Sequence, residues 1–205
     1  MKATDILKSE HETILDVLDA LESISRPAML GKSLDLRSAQ DVLDFLRGFC
    51  DRCHHGKEEQ LFFPALAALG LPRDVGPLAV MATEHEEGRT LLAGMAEALA
   101  DANQSKSGSE SRFGAAAAKY VALMRGHIEK ENGVLFPMGD GMLSEAGQAG
   151  LLRSMERFEH ADMGEGAHAR FLDIASGLAE RYGLDRASRV PASAHACCGH
   201  GTKCS

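Results

Sequence analysis

Glu10-His11-Glu12, then His54-His55-Gly56-Lys57-Glu58-Glu59 running on to Phe63-Pro64, is followed by a second version of itself. That second version is Glu84-His85-Glu86, then His127-Ile128-Glu129-Lys130-Glu131 running on to Phe136-Pro137. Between the lone histidine and the paired one lie 42 residues in the first copy and 41 in the second. Four histidines and two glutamates therefore recur as a set: His11, His54, Glu58, His85, His127 and Glu131. These are side chains that hold transition-metal ions.

Residues four apart on a helix lie one above the other on the same face. His54 with Glu58, and His127 with Glu131, each present an imidazole and a carboxylate together, so both pairs are expected on helices. The apolar pattern agrees. Ile6, Leu7, Ile14, Leu15, Leu18 and Leu21 predict a helix over residues 3–25, closed by Pro27. Val42, Leu43, Phe45, Leu46 and Phe49 lead a second helix into His54 and Glu58. A third helix is expected over 78–100, a polar loop over 101–111, and a fourth helix carrying Tyr120, Val121, Leu123 and Met124 into His127 and Glu131. Residues 151–182 add further helix, broken around Gly164 and Gly166 and stopped at Gly183. Pro64 and Pro137 are expected to bend or stop their helices just beyond the glutamates. No stretch alternates apolar and polar residues as a strand does.

The fold class is therefore all-α, an antiparallel up-down four-helix bundle with an additional C-terminal helix. Residues 1–185 are read as one metal-binding helical bundle, and 186–205 as a flexible Cys/His-rich tail with His195, Cys197, Cys198, His200 and Cys204. A formal net charge of −8 argues against nucleic acid and anionic membrane surfaces as partners. The N-terminus has no apolar signal stretch and the chain no membrane-length run, so it reads as soluble and cytoplasmic. Five unevenly spaced cysteines suit reduced thiols better than a disulfide framework.

Six protein ligands on a single ion would saturate it, whereas two ions can share Glu58 and Glu131 as bridges. Imidazole with carboxylate suits iron or manganese, with iron the first choice. Phe63 and Phe136 would wall off the site from water.

Over roughly residues 5–140 the quoted motifs resemble those of the hemerythrin-like proteins with their HHE cation-binding domain. The resemblance implies two iron ions in an oxo- or hydroxo- and carboxylate-bridged centre that binds dioxygen or related small molecules. One departure matters: where oxygen carriers have a further histidine, one turn beyond His85, this chain has Arg89. His127 and Glu131 at i+4 also replace a histidine and aspartate at i+5. The resulting symmetric site is similar to that of bacterial di-iron proteins linked to repair of damaged iron centres. The expectation is two accessible irons reacting with or sensing dioxygen, hydrogen peroxide or nitric oxide in oxidative or nitrosative stress. An electron donor or regulatory protein partner fits the same picture. The alternative is a non-catalytic regulatory or iron storage and delivery module.

The remaining candidates have plainer readings. His55 is expected on another face of its helix, and His55, His160 and His168 are read as surface or hydrogen-bonded core residues, with His168 bracing the last helix. Glu59, Glu86, Glu87 and Glu129 are read as solvated charges. Cys50, Cys53, Met81, Met95 and Met124 are read as core packing.

Overall fold

The computed structural model describes residues 1–164 and 166–184. Among these there is helix and no strand. Helix α1 spans Ala3–Met29, α2 Leu36–Phe45, α3 Phe63–Ala68, α4 Pro77–Asn103, α5 Ser109–Lys130, α6 Phe136–Met142, α7 Glu145–Phe158 and α8 Ala167–Tyr182. Wider π-helical turns occupy Leu46–His55, Glu58–Phe62, Glu131–Leu135 and Glu159–Met163. They link α2 to α3, and α5 to α6, without a break in helical direction at the prolines.

Local chemistry accounts for several ends. The Asp35 carboxylate accepts from Ser38 N–H at 3.1 Å and starts α2 well before the apolar pattern alone suggests. Ser144 does the same for α7 through Gly147. Asp101 bonds both Lys106 and Arg112, tying a turn much shorter than the expected polar loop. Pro27 does not close α1, which runs on to Met29.

The second correction is at Pro64 and Pro137, which neither stop nor simply kink their helices. Just before each proline the helix widens, so that Phe63 N–H bonds Glu58 C=O and Phe136 N–H bonds Glu131 C=O, five residues back. Each proline then lies in the first turn of the next α-segment, where its absent N–H is not needed. The wider turn moves the carbonyl that would meet the pyrrolidine ring.

The helices form a bundle in which α1 packs along α5, α5 along α4, and α2 against α1 and α4. Its interior is layered. A large apolar cluster joins Ile14, Leu18, Phe45, Phe49, Met95, Phe113 and Tyr120, and a smaller one joins Leu7, Phe62, Leu66, Met81, Phe136 and Met155. Along α1 the residues between the two clusters are Glu10 and His11; along α4 they include His85. A buried polar layer thus crosses the bundle between two dry ones. The C-terminal helices pack on this frame through close approaches: Phe171 lies over Gly48 and Phe158 over Gly56, where side chains would collide with the rings. Met81, Met95 and Met124 are buried as expected. No described helix is long and apolar enough to cross a membrane. The tail expected over 186–205 lies outside the described residues.

Candidate metal centre

All six residues of the repeat meet in the polar layer. His11, His54, Glu58, His85, His127 and Glu131 are each at most 1% exposed. Glu131 lies between His11 Nε2 at 3.1 Å and His127 Nε2 at 3.3 Å. Glu58 lies between His85 Nε2 at 3.5 Å and His54 Nε2 at 3.6 Å. Each carboxylate therefore faces one imidazole from each half of the repeat, the placement a bridging ligand needs. Two overlapping groups result, both of a kind that could hold an ion: His11, His54, Glu58 and Glu131, and His55, Glu58, His85 and His127.

A second set of bonds fixes the rings. His54 Nδ1 donates to Glu10 at 2.8 Å, and His127 Nδ1 to Glu84 at 3.0 Å. His85 Nδ1 donates to Glu59 at 2.6 Å, and His11 Nδ1 to Asn132 Oδ1 at 3.0 Å. The arrangement has a rule. The glutamate before each lone histidine holds the second histidine of its own half, while the residue after each carboxylate ligand holds the lone histidine of the other half. Lys57 binds Glu10 and Lys130 binds Glu84, completing the correspondence. Phe63 stacks on His85 with centroids 5.8 Å apart, and Phe136 on His11 at 5.3 Å.

These bonds determine the tautomers. An ionised carboxylate or an amide oxygen only accepts, so each Nδ1 carries a proton and Nε2 is the nitrogen available to a metal. His85 Nε2 and His127 Nε2 lie 3.1 Å apart. His11 Nε2, His54 Nε2 and both oxygens of Glu58 and of Glu131 have no hydrogen-bond partner although they are buried. Unpartnered acceptors in a dry interior are costly. A cation among them removes that cost, so the residues fit a metal centre.

Electrostatics point the same way. Burial is the main influence holding His54 down at about 4, so its ring is neutral at physiological pH. Burial, and then the neighbouring Glu131 charge, push the Glu58 carboxyl well above the usual carboxylate range. Burial would raise Glu131 too, but His127 and His11 outweigh it and hold that carboxyl low. A metal bound between the two carboxylates would displace the proton that Glu58 otherwise keeps.

Two sequence readings are corrected. His55 does not point to another face. It is 2% exposed, and its ring stacks on that of His85 with centroids 3.9 Å apart and 13° between planes. The π-helical turns of Leu46–His55 are the reason: a wider turn rotates neighbouring residues apart by less than an α-turn does, and brings His54 and His55 inward together. Glu59 is not a free solvated charge either, since it accepts from both His85 and Arg89. The sequence carried a signal for part of this network. Glu10 and Glu84, and Lys57 and Lys130, recur at matching places in the repeat, whereas nothing marked His55, whose counterpart is Ile128.

The other candidates stand apart. Arg89 turns to Asp51, Glu59 and Glu86. Cys50 and Cys53 are buried free thiols, and burial pushes Cys53 up to about 12, so it is no thiolate. His168 pairs with Glu159 at 2.8 Å, and Glu159 in turn reaches buried Lys57 at 3.2 Å. His160 is exposed.

Residues 2–139 match the family described as the hemerythrin HHE cation binding domain. The chain belongs to that family, and metal binding follows from membership together with the buried histidine and glutamate groups. It is similar to the uncharacterized protein Mb2018 of Mycobacterium bovis and the uncharacterized protein Rv1995 of Mycobacterium tuberculosis. Each is 24% identical over 182 residues, covering 89% of this chain and 71% of the relative.

Proposed function

We propose that the chain holds two iron ions, through His11, His54, Glu58, His85, His127 and Glu131, and that it binds or reacts there with dioxygen, hydrogen peroxide or nitric oxide in sensing or defence against oxidative or nitrosative stress. The observation that carries the reading is the set of buried, unpartnered acceptors in which Glu58 belongs to both groups and Glu131 lies between His11 and His127. An antiparallel up-down four-helix arrangement is part of the reading. It is supported by His11 near the start of α1 meeting Glu131 just past the end of α5.

When bound, iron supplies the redox change and the affinity for a small diatomic or peroxide ligand. The chain's own work is to hold and shield. Glu10, Glu59, Glu84 and Asn132 keep the imidazoles in the ligating tautomer, and raise their basicity where the partner is a carboxylate. The apolar layers on either side, with Phe63 and Phe136 against two of the rings, keep bulk water out, which strengthens every charge interaction inside. A pocket of about 320 Å³ lined by Glu59, Phe63, Arg73, Leu78, Ala82 and Glu86 reaches in from the surface as far as the two groups that touch His85. The free thiols of Cys50 and Cys53 suit a reducing, cytoplasmic setting.

The test is purification from iron-replete cells, with metal content and visible absorption recorded before and after azide, dioxygen and nitric oxide. About two irons per chain with ligand-dependent bands are expected from a shared-carboxylate site. Tightly bound zinc without any spectral response would overturn the reading. Glu58→Ala and Glu131→Ala are each expected to cost metal, and full occupancy in both would remove the bridging assignment.

A further inference from the structure

His55 is a buried imidazole that the six-residue site leaves unused. One of its ring nitrogens lies within 4.8 Å of ligand atoms of Glu58, His85 and His127, and together they form one of the two groups that could hold an ion. Its ring faces that of His85 at 3.9 Å and meets that of His127 edge-on at 5.6 Å.

Its hydrogen bonding is poor for so buried a group. Nδ1 has no hydrogen-bond partner, and Asp51, the nearest carboxylate at 3.6 Å, is engaged by Arg89 at 2.8 Å. Nε2 has only the Cys50 thiol at 3.7 Å, a weak partner. An imidazole taken out of water with no strong bond at either nitrogen is unfavourable unless something else engages it. A metal ion does so. The other four histidines of the layer each have Nδ1 held by an oxygen, which leaves Nε2 for the metal; His55 alone among them has neither nitrogen so held.

The surroundings supply a reason for an imidazole here. Arg89, one turn beyond His85 on α4, points away to Asp51, Glu59 and Glu86 and offers nothing to the interior. His55 reaches His85 from the neighbouring helix, placed there by the π-helical turns of Leu46–His55. The repeat has no equivalent in its other half, where Ile128 is packed in the apolar core.

We propose that His55 is a third imidazole ligand to the metal held by His85 and His127, which makes the two metals unequal. The metal at His11 and His54 then has fewer protein ligands. This rests on the two-iron reading and adds to it a ligand and an asymmetry.

The experiment counts imidazole nitrogens on each iron by electron–nuclear double resonance in the one-electron-reduced protein with ¹⁵N-histidine. Three on one iron and two on the other are expected, as the grouping of His55, His85 and His127 against His11 and His54 requires. His55→Ala should lose one from the set of three, and His55→Ala with Arg89→His should regain it from α4. Against a competing chelator, His55→Ala should release one metal at least about 10-fold faster and the other at the wild-type rate. Two and two in wild-type protein that carries two irons overturns the assignment of His55 alone, as does unchanged or equally accelerated release of both metals. Failure of wild-type protein to hold two irons overturns the two-iron reading, and this proposal with it.

Discussion

The carboxylate of Glu59 accepts from His85 Nδ1 at 2.6 Å while the Arg89 guanidinium holds its same oxygen at 2.7 Å. The position that lacks an oxygen carrier's histidine is thus tied to the metal layer indirectly, through a carboxylate that orients His85. Glu59→Ala frees the ring and removes part of the wall beside the surface pocket, and metal affinity should fall about 10- to 100-fold. Glu59→Gln keeps an accepting oxygen and should lose less. Competitive chelator titration of both variants measures this, and equal losses in the two would show that the hydrogen bond is not the cause.

Lys57 and Lys130 hold matching places in the repeat but not matching surroundings. The Lys57 side chain is fully buried between Glu10 and Glu159, whereas that of Lys130 is 44% exposed. Lys57→Met leaves Glu10 buried without its cation, a loss of about 3–5 kcal/mol by the measure of broken buried ion pairs. Lys130→Met should cost under about 1 kcal/mol, because solvent screens the pair. Urea unfolding of the two variants gives the comparison, and similar midpoints would refute it.

The Glu159–His168 pair makes the seating of the C-terminal helices depend on pH in two windows. The ion pair with His168, the largest influence, and then Lys57 hold Glu159 at about 2, below its ordinary 4.5. Its contribution is therefore complete above 4.5 and disappears as pH falls through about 2. His168 is raised above its ordinary 6.5, chiefly by Glu159. Its contribution is complete below 6.5 and is lost as pH rises through the raised value. Thermal melts of wild type and His168→Gln should converge at both extremes and differ most between about 4.5 and 6.5, the interval those ordinary values bound. A constant difference across pH would exclude the pair as its source.

A Cβ at Gly48 would lie 2.1 Å from Phe171 Cζ, while one at Gly94 meets nothing within 4 Å. Gly48→Ala should lower stability by about 1–3 kcal/mol as α8 is pushed off, despite alanine's better helix propensity. Gly94→Ala, on half-buried helical backbone with open space for the methyl, should raise it by up to about 1 kcal/mol. Calorimetric melting of both checks the signs. A rise in both would mean that Phe171 yields freely.

Much of the site is legible in the chain because its information is local and written twice. His54 with Glu58 and His127 with Glu131 need only helical spacing to face one way, and the recurrence of His11 and His85 marks the opposite wall. Helix identity follows from apolar periodicity, which all the long helices keep. The finer network escapes for a different reason. Glu59 resembles a solvated charge in sequence, and the recurrence of Glu10 and Lys57 marks them without giving a role; only packing decides that the three meet His85, His54 and Glu159.

The sequence by itself determined the all-helical fold and brought six ligand-type residues into register, since spacing on a helix fixes which side chains share a face. The tertiary structure alone decided where His55 points, because the π-helical widening of Leu46–His55 depends on backbone hydrogen bonding that residue type does not reveal. It also decided that Pro64 and Pro137 are passed without a break, and that Phe158, Glu159, His168 and Phe171, all beyond the family's matched stretch, close over the frame that holds the centre.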